Sequence, residues 1–184
     1  MGMSLSAKIE QKLAQSGYWI ENLARFVAII GGLALVAIAL ITLVSVAGRA
    51  TIGLGFSPLL GQFEMVEAGT LFAISAFLPW CHLKKGHASV GVFTDLMGKR
   101  INLFLDFAGD ILLAFMAFIM TWQLMLGMYD KIGFGETTFL LGFPVWWSYA
   151  AALFGLVTWV IVGIWTSLNS ASRIFAKIPE NGAR

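Results

Sequence analysis

The sequence predicts an all-α integral membrane protein with four transmembrane helices, short amphipathic interfacial helices between them, and both termini in the cytoplasm. Three observations predict it. Of the 184 residues, 59% are hydrophobic and only 12% are charged, whereas a soluble domain carries about 45–50% apolar and about 25% charged residues. So little charge cannot coat a water-facing surface, which argues against a soluble enzyme. Four apolar runs approach or exceed the roughly 20 residues that cross the hydrocarbon core as a helix. Finally, the basic residues are divided unequally between the segments that join those runs.

The elements follow in chain order. Ile9, Leu13, Ile20 and Leu23 recur at helical spacing, while Lys8, Glu10, Gln11 and Lys12 stay polar. That pattern predicts an amphipathic helix on the membrane surface over about residues 5–22, interrupted or bent near Gly17. The first span, Phe26 to Gly48, carries no charge and is closed by Arg49. Its Ser45-Val46-Ala47 has the form of a signal cleavage site. The run is nevertheless far longer than the ~7–15 residues of a signal core, so an uncleaved anchor is expected. Gly53, Gly55, Pro58 and Gly61 then mark a turn-rich outer connection.

The second span runs from about Phe63 to Leu83, with Glu67 near the membrane boundary. Beyond it, Val90, Phe93 and Met97 fall on one helical face, opposed by Thr94, Asp95, Lys99 and Arg100. A short helix lying flat in the inner interface over about 88–98 is expected. The third span occupies about 104–129. An outer loop, Asp130 to Pro144, leads to a fourth span over about 145–168, where Pro144 suits the first turn because its missing N–H has no partner there in any case. Tyr129, Trp146, Trp147 and Tyr149 at the outer ends, and Tyr18, Trp19, Trp80 and Trp165 at the inner ends, fit the headgroup level. Trp122 and Trp159 lie deeper and are expected to pack on other helices.

Ten of the twelve basic residues fall on one side: Lys8, Lys12, Arg25, Lys84, Lys85, Lys99, Arg100, Arg173, Lys177 and Arg184, against Arg49 and Lys131 on the other. The positive-inside rule places the ten in the cytoplasm. A formal net charge of +2 gives no footing for nucleic acid as a partner, and a single cysteine, Cys81, excludes an internal disulfide and a cysteine-cluster metal site.

Few residues are candidates for chemistry. Glu64 and Glu67 share a face one turn apart at the outer end of span two. They read either as acids favoured by the helix N-terminus or as a contact to a partner's Arg or Lys. Asp106 and Asp110 begin span three, where Asp110 is the most costly carboxylate unless paired, and a Lys or Arg of the middle loop is its expected partner. His82 and His87 flank Lys84 and Lys85 at the inner edge, a pattern suited to headgroups or a docking protein rather than to haem, which needs imidazoles from separate helices. Gly69 and Ala73 at small-xxx-small spacing permit close helix approach, within the chain or to a partner. No nucleotide loop, zincin motif or nucleophile elbow is present. No residue is expected to act in catalysis, bind a cofactor or ligate a metal.

Together these motifs resemble the small membrane subunit of tripartite ATP-independent periplasmic (TRAP) transporters, over about Tyr18 to Leu168. The likeness rests on Glu64 and Glu67, then Leu78-Pro79-Trp80-Cys81-His82-Leu83-Lys84-Lys85-Gly86-His87 followed by Val90, and on Pro144-Val145-Trp146-Trp147-Ser148-Tyr149. The resemblance implies a non-enzymatic accessory subunit, multi-pass in the bacterial inner membrane. It would flank and stabilise a large multi-spanning transport subunit that imports organic acid anions with sodium, supplied by a periplasmic substrate-binding protein. Partner or lipid contacts, phospholipids included, are expected at Glu64, Glu67, Gly69, Ala73, Trp80, His82, Lys84, Lys85, His87, Val90, Phe93, Pro144, Trp146 and Tyr149. The alternative is a tetraspan anchor or scaffold of an unrelated membrane complex.

The charge asymmetry makes the topology testable. In a Cys81→Ser background, cysteines at Ser6 or Ser172 should resist an impermeant thiol reagent in intact cells, and one at Thr137 should react. Labelling at either terminus with none at Thr137 would reverse the orientation.

Overall fold

A computed structural model of the chain describes residues 5–55, 57, 59–84 and 99–176. It is all-helical. Helix α1 spans Leu5–Ala50, α2 Gln62–Leu83, α3 Lys99–Phe134 and α4 Trp146–Ala176, with a 3-10 turn at Ile52–Leu54. All four helices are long and apolar enough to cross a membrane. The expected flat helix over 88–98 lies outside the described residues.

Three elements are longer than the sequence predicts, α4 by continuing past Leu168 to Ala176. The surface helix and the first span form one 46-residue helix, about 69 Å at 1.5 Å per residue, so one of its ends projects well past a ~30 Å core. It runs through Gly17 without interruption. A mid-helix glycine costs only about 1 kcal/mol, and here the missing side chain has a use. A Cβ on Gly17 would lie 2.8 Å from the Trp165 ring of α4, whose indole N–H donates to Ser16 Oγ at 3.2 Å. Helix α3 likewise continues to Phe134, taking up the first part of the expected outer loop.

The helices stand in the order α1, α2, α4, α3, each packed on the next, with a smaller contact between α1 and α4. Neighbours in chain order thus run antiparallel, while α2 and α4 run parallel. This puts the start of α1, the end of α2, the start of α3 and the end of α4 at one end of the bundle, the terminal end, and the α1–α2 and α3–α4 connections at the loop end. Helix α4 is the most buried span and α3 the least. On α4 the buried positions Ala152, Gly155, Leu156, Trp159, Val162, Gly163 and Thr166 make one stripe at helical spacing.

Small residues set the distances. Among the described residues, five of the nine buried hydrophobic ones are alanine: Ala24, Ala73, Ala76, Ala117 and Ala152. A Cβ on Gly31 of α1 would meet Ala76 Cβ of α2 at 2.8 Å, and one on Gly69 would meet Ile38 at 2.8 Å. At Gly155 of α4 the obstacle is backbone: a Cβ there would lie 2.6 Å from both the carbonyl carbon and the oxygen of Ser75 in α2. Pro79, inside α2, has no N–H to give that same carbonyl. The helix therefore lacks that bond where the α4 backbone packs against it. Trp159 is buried as expected, whereas Trp122 is exposed on α3 and stacks on Phe118 at 6.5 Å between ring centroids.

Gly155→Ala should therefore force α2 and α4 apart and lose roughly 1–3 kcal/mol, the usual cost of overpacking. Gly32→Ala, with nothing within 4 Å of the added Cβ, should be neutral or stabilising by up to about 1 kcal/mol. Thermal midpoints in detergent compare the two; equal behaviour would contradict the close α2–α4 approach.

Candidate functional site

The polar chemistry of the bundle collects where α2, α3 and α4 meet, toward the terminal end. His82, near the end of α2, is 2% exposed. Trp159 of α4 donates its indole N–H to His82 Nδ1 at 3.0 Å, its ring edge-on to the imidazole. Indole nitrogen only donates, so Nδ1 carries no proton and the imidazole is the neutral Nε2–H tautomer. Nε2 lies 3.1 Å from Thr166 Oγ1, whose hydroxyl donates onward to the Gly163 carbonyl at 3.0 Å. Donors and acceptors alternate consistently along the chain.

Asp110 of α3 completes the junction. It is 6% exposed and accepts the Ser170 hydroxyl of α4 at 2.5 Å. Its other oxygen is 3.8 Å from His82 Nε2, beyond hydrogen-bond reach. With the imidazole neutral, that approach is no ion pair. Gly163 lets α3 come close, since a Cβ there would meet Ala114 at 3.0 Å; it would lie in ordinary contact, 3.5 Å, with His82 Cε1. The position that brings α3 against α4 thus also lies beside the imidazole.

The residues expected to contact partners or lipid take up varied positions. His82 faces the bundle interior rather than the headgroups, and Gly69 and Ala73 face α1. Asp110 meets a serine of α4, and the side chains of the middle loop beyond Lys84, from which a basic partner was expected, lie outside the described residues. Glu64 binds its own chain: its two carboxylate oxygens accept the N–H groups of Leu140 at 2.7 Å and Leu141 at 3.0 Å. This fixes the outer loop, which is also closed by a bridge between Thr137 and Pro144. Glu67 is exposed on α2 beside the same loop. Trp146 is partly exposed, and Tyr149 packs against Gly127 of α3.

At the terminal end, Lys84 pairs with Glu21 of α1 at 2.6 Å. Its ammonium lies 4.8 Å from the Trp80 ring centroid, and Arg25 lies 5.6 Å from it. Lys85, His87, Val90 and Phe93 lie outside the described residues. Sequence reasoning missed Thr166, Ser170, Gly155 and Gly163. Their signal was spacing: Gly155, Trp159, Gly163, Thr166 and Ser170 recur every three or four residues on one face of α4.

Among known proteins, a family model described as "Tripartite ATP-independent periplasmic transporters, DctQ component" matches residues 38–173. That stretch runs from mid-α1 to the last turn of α4 and contains the whole polar junction. No curated protein and no solved structure matches the chain at a significant level.

The junction predicts a coupling between His82 and Trp159. In a double-mutant cycle of His82→Phe and Trp159→Phe, each single change should destabilise, and the pair should lose less than the sum. A coupling near 0.6 kcal/mol, at most about 1.7, is the scale of hydrogen bonds between membrane helices. Strict additivity in thermal or denaturant unfolding would remove this bond from the account of stability.

Proposed function

Because the chain belongs to the DctQ family, the small component of tripartite ATP-independent periplasmic transporters, we propose that it is an accessory subunit flanking and stabilising the large transport subunit. It is a transporter component and not an enzyme, and the tripartite family implies association with a large permease and a substrate-binding protein. In this reading the system is driven by sodium and imports organic acid anions delivered by the periplasmic binding protein. The chain sits in the bacterial inner membrane with both termini inside and phospholipids along its edges.

The match over residues 38–173 carries the reading, and the packing supports it. His82 and Thr166 bond to groups of their own chain, as do Asp110 and Glu64. Groups engaged in this way favour a fixed body over a carrier, which needs polar groups free to bind and release a solute. Backbone contacts at Gly155 and Gly163 would resist sliding between helices, as a stationary flank requires.

Affinity purification of this chain from membranes in mild detergent should recover a large multi-spanning permease, identified by mass spectrometry. The chain reconstituted alone in liposomes should catalyse no sodium-driven uptake. Uptake should appear when the large subunit and the loaded binding protein are added. Robust uptake by the purified chain alone would overturn the accessory reading.

A further inference from the structure

We infer that the groove between α2 and α3 holds an acyl chain of an aminophospholipid whose ammonium group is received by Glu67. The inference stands on the fold alone and is independent of the transport reading. The groove has a volume of about 400 Å³ and is floored by Ala152 and Leu156 of α4, with Leu71 and Leu78 on one wall and Ile119 and Leu124 on the other. Leu71, Leu124 and Tyr149 also line a second cavity of about 480 Å³ toward the loop end, which adds Glu64, Glu67 and Ser148. An apolar slot thus adjoins a polar mouth at the level marked by Tyr149 and Trp146, residues of the type found at headgroups.

Length selects the occupant. From Glu67 to Leu78 is eleven residues, about 16 Å along α2 at 1.5 Å per residue. That is close to half of a ~30 Å hydrocarbon core, the depth of one leaflet. A spanning helix of a partner would need a groove through both leaflets. Toward the terminal end α3 closes on α4 at Ala114 and Gly163, with His82 filling the space beside them.

Charge selects the headgroup. Both oxygens of Glu64 are engaged by the loop N–H groups, and Lys131 at the same end is held by Glu136 at 2.6 Å. Glu67 is exposed, and no described residue makes a hydrogen bond or ion pair with it. A carboxylate beside a second carboxylate repels a net-negative lipid and favours one that offers an ammonium donor.

The test uses the full chain, exchanged out of its native lipid into detergent and then offered phosphatidylethanolamine or phosphatidylglycerol, with bound lipid read by native mass spectrometry. The wild type should retain phosphatidylethanolamine roughly tenfold better, the scale of one hydrogen bond to a charged group. Glu67→Gln should abolish that preference. Gln123→Trp, at an exposed groove position on α3, should fill the slot and release both lipids at an unchanged thermal midpoint. Should that variant unfold, a photo-crosslinker at Gln123 in cells decides: a lipid-sized adduct supports the inference, and a protein-sized one overturns it in favour of a partner helix. Equal retention of the two lipids by the wild type, or an intact preference in Glu67→Gln, would also overturn it.

Discussion

Helices in hydrocarbon gain almost nothing by burying apolar side chains against one another, since lipid tails are as apolar as leucine. Association then depends on how closely backbones approach and on polar bonds between helices. That constraint explains why the buried hydrophobic residues of this bundle are so often alanine, and why Leu33, Val36, Leu40 and Leu43 of α1 remain on its surface. The contacts that order the bundle are made at Gly31, Gly69, Gly155 and Gly163. Large apolar side chains serve mainly as the face shown to lipid.

The polar junction obeys the same constraint from the other direction. An imidazole or carboxylate in hydrocarbon is costly unless partnered, and here three helices supply the partners. Trp159 fixes the tautomer of His82, which turns Nε2 toward Thr166; Ser170 holds Asp110. Each bond is modest on the scale measured for membrane helices, but together they specify register. A slip of one residue on α4 would rotate Trp159 and Thr166 away by about 100° and leave both polar groups unsatisfied.

The ends of the bundle are tied by charge, where water and headgroups lower the cost. Glu64 joins α2 to the loop between α3 and α4, and Lys84 joins α2 to α1 through Glu21. Helix α2, the shortest of the four, is thus secured to different neighbours at its two ends. Near its middle it meets the α4 backbone at Gly155, beside the Ser75 carbonyl to which Pro79 has no N–H to give.

The sequence by itself determined the class, the number of spans and the family likeness, because those depend on properties that accumulate along the chain: run length, lack of charge, and motif order. It also located the polar residues at the span edges. Partners were decided only by tertiary structure. His82 next to Lys84 reads as an interfacial cation site, yet the rotation of α2 turns the imidazole inward to Trp159 and leaves the lysine outside with Glu21. Gly17 reads as a helix breaker, yet it seats Trp165. Gly69 and Ala73 read equally as an internal or an external contact, and the packing of α1 on α2 made it internal. A one-dimensional pattern gives the face on which a residue lies, but which helix covers that face depends on the order α1, α2, α4, α3. The glycine spacing on α4 marks a face that can be approached closely, but that Gly155 meets Ser75 of α2 and Gly163 meets Ala114 of α3 is seen only in the packed bundle.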